Sequence, residues 1–217
     1  ERIYPLASTK AKENDEIMEE VRKITAELDK GKKSYVALWN IIKEISIKNI
    51  KNMYTKINAK FDLWEGETDS YPYIDEMLGI LKNANCLEES QGALVCDVKL
   101  DTDKAEIPPL VVIKTDGTTL YATRELATIL SRKQRFNPDE IWYIVDSRQG
   151  MYFEQVFRTS YKSNLVDKNM KFEFIGVGTM NGKDGKPFKT RDGGVMKLES
   201  LLNEIKEETC LLYTSPS

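Results

Sequence analysis

The stretch IWYIVDSRQGMYFEQVFRTSYKSNLVDKNMKFEFIGV, residues 141–177, decides the fold class. It holds a β-rich run at Ile141–Val145, a helical segment at Met151–Lys162 and a second β-rich run at Phe172–Val177. Strand, helix and strand in succession are the grammar of a parallel sheet with a crossover helix. In open parallel sheets, ligands sit outside the carboxyl ends of the strands. Two features fall there. Asp146-Ser147-Arg148-Gln149 follows the first strand directly. The second strand runs into GTMNGKDGKPFKTRDGG, residues 178–194, where Lys183, Lys186, Lys189 and Arg191 lie among five glycines. Backbone N–H groups and lysines at such a place favour phosphate. The loop is not a P-loop, because GxxxxGK[ST] is absent. As a bare pattern it reads more readily as a solvated turn, and its place after a strand brings the two readings level. A helix is expected after it, over Leu198–Glu207.

Upstream, apolar residues at helical spacing predict one helix from Lys10 to about Leu28, ended by Gly31, and a second from about Ser34 to Ile57. Together they read as an antiparallel hairpin. The broad apolar face of the second helix (Leu38, Ile41, Ile42, Ile45, Ile50) is expected to pack into a core. FDLWEGETDSYPY carries the breakers Gly66 and Pro72, and a short helix spans Asp75–Leu87. The period then becomes that of strands. Ala93–Leu100 and Leu110–Lys114 are β-rich, and Asp116-Gly117 signals a hairpin turn with TTLYA as the return strand. Arg124–Arg135 reads as a helix stopped by Asn137-Pro138.

The bulk composition excludes several chemistries. The 217 residues contain no histidine, so neither Ser-His-Asp nor Cys-His catalysis can operate among them. The three cysteines show no CxxC spacing, and no metal site is expected. They read as reduced thiols or core fillers. With 32 basic and 35 acidic side chains the net charge is −3, so any surface for a polyanion must be local. No apolar run approaches the ~20 residues of a membrane span. The expectation is a cytoplasmic chain with no membrane partner.

The ends read as cut. The last eight residues, CLLYTSPS at 210–217, fit the codons TGT CTC TTA TAC ACA TCT CCG AGC, which resemble a transposase adapter used in sequencing libraries. They are expected to be an artefact, leaving 1–209 as the native part. Glu1 is not a methionine, which reads as a missing start.

Tyr121 and Glu125, in YATRE, are four residues apart and share one face at a helix start. A phenol and a carboxylate together can grip a cation, and a carboxylate suits guanidinium best, through paired N–H···O bonds. Spacing alone leaves open an ordinary exposed glutamate and a tyrosine packed at a rim.

The series YATRE, VDSRQ and GVGTMNGKDGKPFKTRDGG resembles the catalytic domain of bacterial arginyl-tRNA synthetase, a class I aminoacyl-tRNA synthetase. Tyr4-Pro5, SYVALWNIIKEIS, FDLWEGE and ESQGALV (Glu89–Val95) agree with it in order, so the resemblance covers essentially Glu1 to about Glu208. It implies a truncated α/β, Rossmann-like nucleotide-binding core with parallel strands, a helical hairpin and a small antiparallel insertion. The implied reaction joins arginine and ATP, with Mg²⁺, into arginyl-adenylate and pyrophosphate. The arginyl group then passes to the 3′-terminal ribose of arginine tRNA, and the family generally needs tRNA even for the first step.

The resemblance also assigns roles. Tyr121, Glu125 and Gln149 hold the substrate arginine. Lys186-Pro187-Phe188-Lys189 keeps the Lys-x-x-Lys spacing of the KMSKS signature, so Lys186, Lys189 and Arg191 would stabilise charge on the leaving pyrophosphate. Gly176, Gly178 and Met180 would lie near the adenine of ATP, which Lys186 and Lys189 also bind. Two departures stand out. The family usually has Asp where this chain has Glu125; the extra methylene moves the carboxylate by about 1.5 Å, and a misplacement near 1 Å can cost ~10²-fold in rate. Tyr152 stands where a His is common. The HIGH signature, whose histidines bind ATP phosphates, is expected upstream of this chain, and a helical anticodon-binding domain beyond it. The expected whole is a monomer, and residues 1–209 alone are expected to show little or no aminoacylation. The rivals are a non-catalytic synthetase-like module that binds arginine or nucleotide, and an unrelated α/β protein whose Lys/Gly loop holds another phosphate ligand.

Overall fold

The computed structural model describes residues 3–179, 181, 185 and 198–214. They form two compact units: one is Glu65–Thr179, and the other comprises the described residues on either side of it.

The outer unit is helical: α1 (Ile3–Glu13), α2 (Asp15–Asp29), α3 (Lys33–Lys56) and, from the C-terminal side, α7 (Leu198–Thr214). The single helix expected from Lys10 is broken at Asn14. Its side-chain oxygen accepts from the backbone N–H of Glu16 (2.9 Å) and Ile17 (3.2 Å), a cap that starts α2 afresh. Gly31, at φ +78°, ends α2 as expected. The apolar face of α3 is not packed: Leu38, Ile41, Ile42 and Ile45 are each more than half exposed. At its far end Tyr54, Phe61 and Trp64 cluster, with ring centroids 5.2–5.8 Å apart.

The inner unit carries the sheets. A 3₁₀ turn over Glu67–Tyr73 occupies part of the segment that sequence leaves irregular, and α4 spans Ile74–Asn83. Strands β1 (Glu88–Ser90), β2 (Ala93–Cys96) and β3 (Leu110–Ile113) form an antiparallel sheet in the order β1-β2-β3. β1 and β2 are joined by Gln91-Gly92 with both φ positive, +50° and +79°, the geometry that matches strand twist in two-residue hairpins. The expected return strand TTLYA shrinks to one bridge between Ile113 and Thr119. Its end is taken by helix α5 (Tyr121–Phe136).

Strand β4 (Glu140–Asp146), a 3₁₀ turn (Ser147–Gln149), α6 (Gly150–Lys162) and β5 (Lys171–Val177) follow. β4 and β5 pair in parallel from Glu140 opposite Lys171 to Asp146 opposite Val177, the topology read from residues 141–177. The core gathers Met77 and Leu81 of α4, Val112 of β3, Leu126 and Ile129 of α5, and Val156 of α6, all fully buried. Cutting Leu126 to alanine there costs about 2–5 kcal/mol, lost transfer energy plus cavity. Strand β4 is buried on one face and open on the other. Ile141 and Tyr143 face the core, whereas Trp142 is 62% and Ile144 64% exposed.

A polar latch holds the segment between β2 and β3 onto α6. The Arg158 guanidinium donates to both carboxylate oxygens of Asp103 at 2.7 Å and to the Val98 carbonyl at 3.1 Å. Gln155 donates to the Pro108 carbonyl at 2.6 Å, and Lys162 to that of Asp97 at 2.7 Å. The paired fork is the strong form of such contacts.

Candidate functional site

The site is built at the start of α5. Thr123, fully buried, accepts from the backbone N–H of Leu120 at 2.8 Å and donates to the Val112 carbonyl. That couple satisfies an otherwise orphaned donor of the first turn and ties the helix to β3. It fixes the phase of α5, and so the directions of Tyr121, Arg124 and Glu125. The starts of α5 and α6 converge, because the Tyr121 and Tyr152 rings meet edge to face with centroids 6.3 Å apart.

Tyr121 stands at the rim, 58% exposed. Its hydroxyl hydrogen-bonds Glu67, and that bond, more than burial, raises its pKa. Glu67 also meets Arg124, Oε2 to Nε at 2.9 Å, and the Arg124 guanidinium lies 5.7 Å from the Tyr121 ring centre. Glu67 comes from the 3₁₀ turn, far away in sequence, and joins the two halves of YATRE.

Glu125 is largely withdrawn from solvent, so the open reading of an ordinary exposed glutamate fails. Burial is the main cause raising its pKa above the ordinary 4.5; Arg132 and a hydrogen bond from Tyr143 pull the other way. Tyr143 is 6% exposed and receives an Arg132 N–H at 3.2 Å. Its own pKa is pushed up by burial first and then by the Glu125 charge. Behind it the Phe153 and Phe157 rings pack at 4.7 and 5.2 Å. The Oε1 atom of Glu125 is buried and has no hydrogen-bond partner among the described residues; the Tyr152 hydroxyl is in the same position.

Glu125 also lines a cleft of about 200 Å³ with Glu65, Glu67, Asp69, Ser131 and Arg132 among its walls. That is smaller than the ~300 Å³ at which drug-sized pockets begin, and nearer the scale of a side-chain head group. The walls are mainly acidic, but most of the charge is already used. Glu65 pairs with Arg135 at 2.6 Å, Glu67 with Arg124, and Asp69 accepts from the Gly66 N–H at 2.7 Å.

Gln149 ends the 3₁₀ turn at the carboxyl end of β4 and caps α6, exposed, on the side where α6 begins to approach α5. The turn is held by Asp146, whose oxygens accept from the Arg148 backbone N–H (2.9 Å) and its guanidinium (2.8 and 2.7 Å). Those bonds hold the Asp146 carboxyl down at about 2. Gly176 has a structural reason to be glycine. A Cβ there would meet Ser147 Cβ at 3.1 Å and Ser147 Cα at 3.2 Å, so β5 passes hard against this turn. Gly178 has open space around it. Met180, Lys186, Lys189 and Arg191 lie outside the described residues. Sequence reasoning missed Glu67, Arg132 and Tyr143 and noted Tyr152 only as standing where a His is common. Only the capping and strand packing that gather them make them visible.

Comparison with known proteins was decisive at family level. Residues 1–213 match the family described as tRNA synthetases class I (R), catalytic domain. The chain is 50% identical over 207 residues to an arginine–tRNA ligase of Alkaliphilus oremlandii, and 48% over 208 residues to that of Agathobacter rectalis. It covers 35% of either protein's length, about a third of these curated relatives. Among solved structures, arginyl-tRNA synthetase from Plasmodium falciparum superposes with a TM-score of 0.70 at 22% identity, over 93% of this chain and 34% of that one. The Thermus thermophilus arginyl-tRNA synthetase gives 0.63 at 15%, over 96% and 41%. At these identities the structures speak for the fold alone.

Proposed function

The chain belongs to the catalytic-domain family of the class I arginyl-tRNA synthetases, and we propose that the protein in its full natural length is an arginine–tRNA ligase that holds its substrate guanidinium against Glu125. The observation carrying this is the buried, unpartnered Oε1 of Glu125 at the start of α5. A carboxylate oxygen kept from water without a donor costs about 1–3 kcal/mol or more, and a guanidinium N–H supplies that donor with charge assistance. Tyr121 closes the rim, and Gln149 is assigned to the same substrate by the motif order. Arginine's carboxylate then attacks the α-phosphorus of ATP, giving arginyl-adenylate and pyrophosphate, and the arginyl group passes to the ribose of arginine tRNA.

In this reading Gly176 and Gly178 run beside the adenine with Met180. Lys186, Lys189 and Arg191 neutralise the departing pyrophosphate; their part rests on the sequence. Family membership implies ATP. Among the described residues no group of three or more His, Cys, Asp or Glu is placed to hold a metal. They do not by themselves supply a Mg²⁺ site, and no step is routed through one.

Glu125→Gln tests the assignment in the full-length protein, with arginine affinity measured by titration calorimetry. Removing one partner of a buried charge pair costs about 3–5 kcal/mol, so affinity should fall by roughly 10²- to 10⁴-fold. Folding should not suffer. A carboxyl whose folded pKa is raised contributes stability below its unfolded pKa and loses it as pH rises through the folded value. At neutral pH the Glu125 charge therefore opposes folding, and glutamine relieves it. Unchanged arginine affinity in the folded variant sinks the assignment.

A further inference from the structure

The acceptors around Glu125 can be accounted for one by one. The Tyr143 hydroxyl takes an N–H from Arg132 and hydrogen-bonds Glu125. Oε1 of Glu125 is buried and has no partner among the described residues. The Tyr121 hydroxyl is committed to Glu67, and Glu67 to Arg124 as well. Oε1 is the buried acceptor Glu125 offers a guanidinium. A guanidinium carries five N–H donors in a rigid fork, and a fork gripped at one prong is poorly oriented. A further unmatched polar group beside Tyr121 is Tyr152. Its hydroxyl is buried and has no partner among the described residues. Its ring sits against Tyr121, and the charge of Glu125 reaches it. A buried hydroxyl left unmatched in a packed protein calls for an explanation. Packing alone would be served better by phenylalanine, which fills the same space without a polar atom.

We propose that Tyr152 is a further arginine-binding residue of this pocket, its hydroxyl oxygen accepting a guanidinium N–H beside Glu125 Oε1. The inference rests on the arginine reading of the site and adds a second acceptor to it. Two acceptors on different helices, α5 and α6, fix the plane of the guanidinium as well as its position. An ammonium ion, with three donors splayed around one atom, would not span them in the same way.

The test is Tyr152→Phe in the full-length protein, beside Glu125→Gln, with arginine and ATP affinities by calorimetry and thermal unfolding without ligand. Losing one hydrogen bond to a charged donor should weaken arginine binding roughly ten- to a hundredfold. ATP affinity should stay within twofold, and the unliganded variant should unfold at the same temperature or higher, because an unmatched hydroxyl has gone. A purely structural tyrosine would instead lose stability, and both ligands would weaken together; that result overturns the proposal. So does arginine affinity within twofold of wild type while Glu125→Gln has lost it, which removes Tyr152 from the pocket and leaves the pocket standing. If Glu125→Gln also binds arginine normally, the site reading and this inference fall together.

Discussion

Replacing Gly176 with alanine should strain the junction on which the site is mounted. The added Cβ would lie 3.1 Å from Ser147 Cβ, 3.2 Å from Ser147 Cα and 3.2 Å from Phe174 Cε1. Carbon atoms pack best at about 3.5–4.0 Å, so each contact is short by several tenths of an ångström. A flexible side-chain tip could swing away, but Ser147 Cα is backbone. Overpacking of this kind costs about 1–3 kcal/mol. Against it stands the entropy gain of Gly→Ala through the unfolded chain, about 0.4–1 kcal/mol where the backbone conformation is compatible. Strain wins, by about 0.5–2 kcal/mol. With a urea slope of about 2 kcal/mol/M the unfolding midpoint drops by roughly 0.3–1 M. Gly178→Ala is the internal control, since nothing lies within 4 Å of its Cβ position; its midpoint should hold or rise slightly. The two variants differ by two positions and one methyl environment. Equal midpoints would refute the claim that β5 presses on the Ser147–Gln149 turn.

The Asp103–Arg158 latch should give way in acid. The Arg158 fork and the Leu100 N–H hold the Asp103 carboxyl down to about 2, from an ordinary 3.8. A depressed carboxyl contributes stability above its unfolded pKa and loses it as pH falls through the folded one. Wild type should therefore lose stability from about pH 4 to pH 2 more steeply than Asp103→Asn, in denaturation midpoints taken across that range; parallel curves would exclude the latch as a contributor. Thiol reactivity should separate the cysteines. Cys86 and Cys96 are buried, and burial raises both thiols, whereas Cys210 is exposed. One equivalent of a disulfide reagent should react quickly at neutral pH and the other two only on unfolding, because the thiolate is the reactive form.

How far the sequence could be read depended on the range of the interaction responsible. The parallel pair was legible in residues 141–177, because β-rich runs flanking a helical period leave few alternatives. The break at Asn14 was hidden, since Ile17, Val21, Ile24 and Leu28 keep their spacing and the interruption is a single cap. TTLYA misled because strand propensity in Leu120–Ala122 lost to the Thr123 couple, which needs Val112 from another element. Tyr121, Glu125 and Gln149 were singled out through motif order. Arg132 and Tyr143 carry no local mark, Tyr143 being one aromatic among several in a strand. Glu67 closes the matched segment FDLWEGE, but no role came with it. Their roles arise only when the 3₁₀ turn, α5 and β4 are brought together.

The bare face of β4 has an optical consequence. Trp142 projects there beside Ile144, its indole N–H 3.1 Å from Glu140 Oε2. An indole in water emits at longer wavelength than one in an apolar surround, so its colour reports whether that face is wet or covered. The chain has three tryptophans. With Trp39 and Trp64 replaced by phenylalanine, the emission would come from Trp142 alone. A spectrum that moves to the blue in a longer form of the protein, its added tryptophans likewise replaced, would mean that further polypeptide shields this side of the sheet, read from one residue without labelling or crystals.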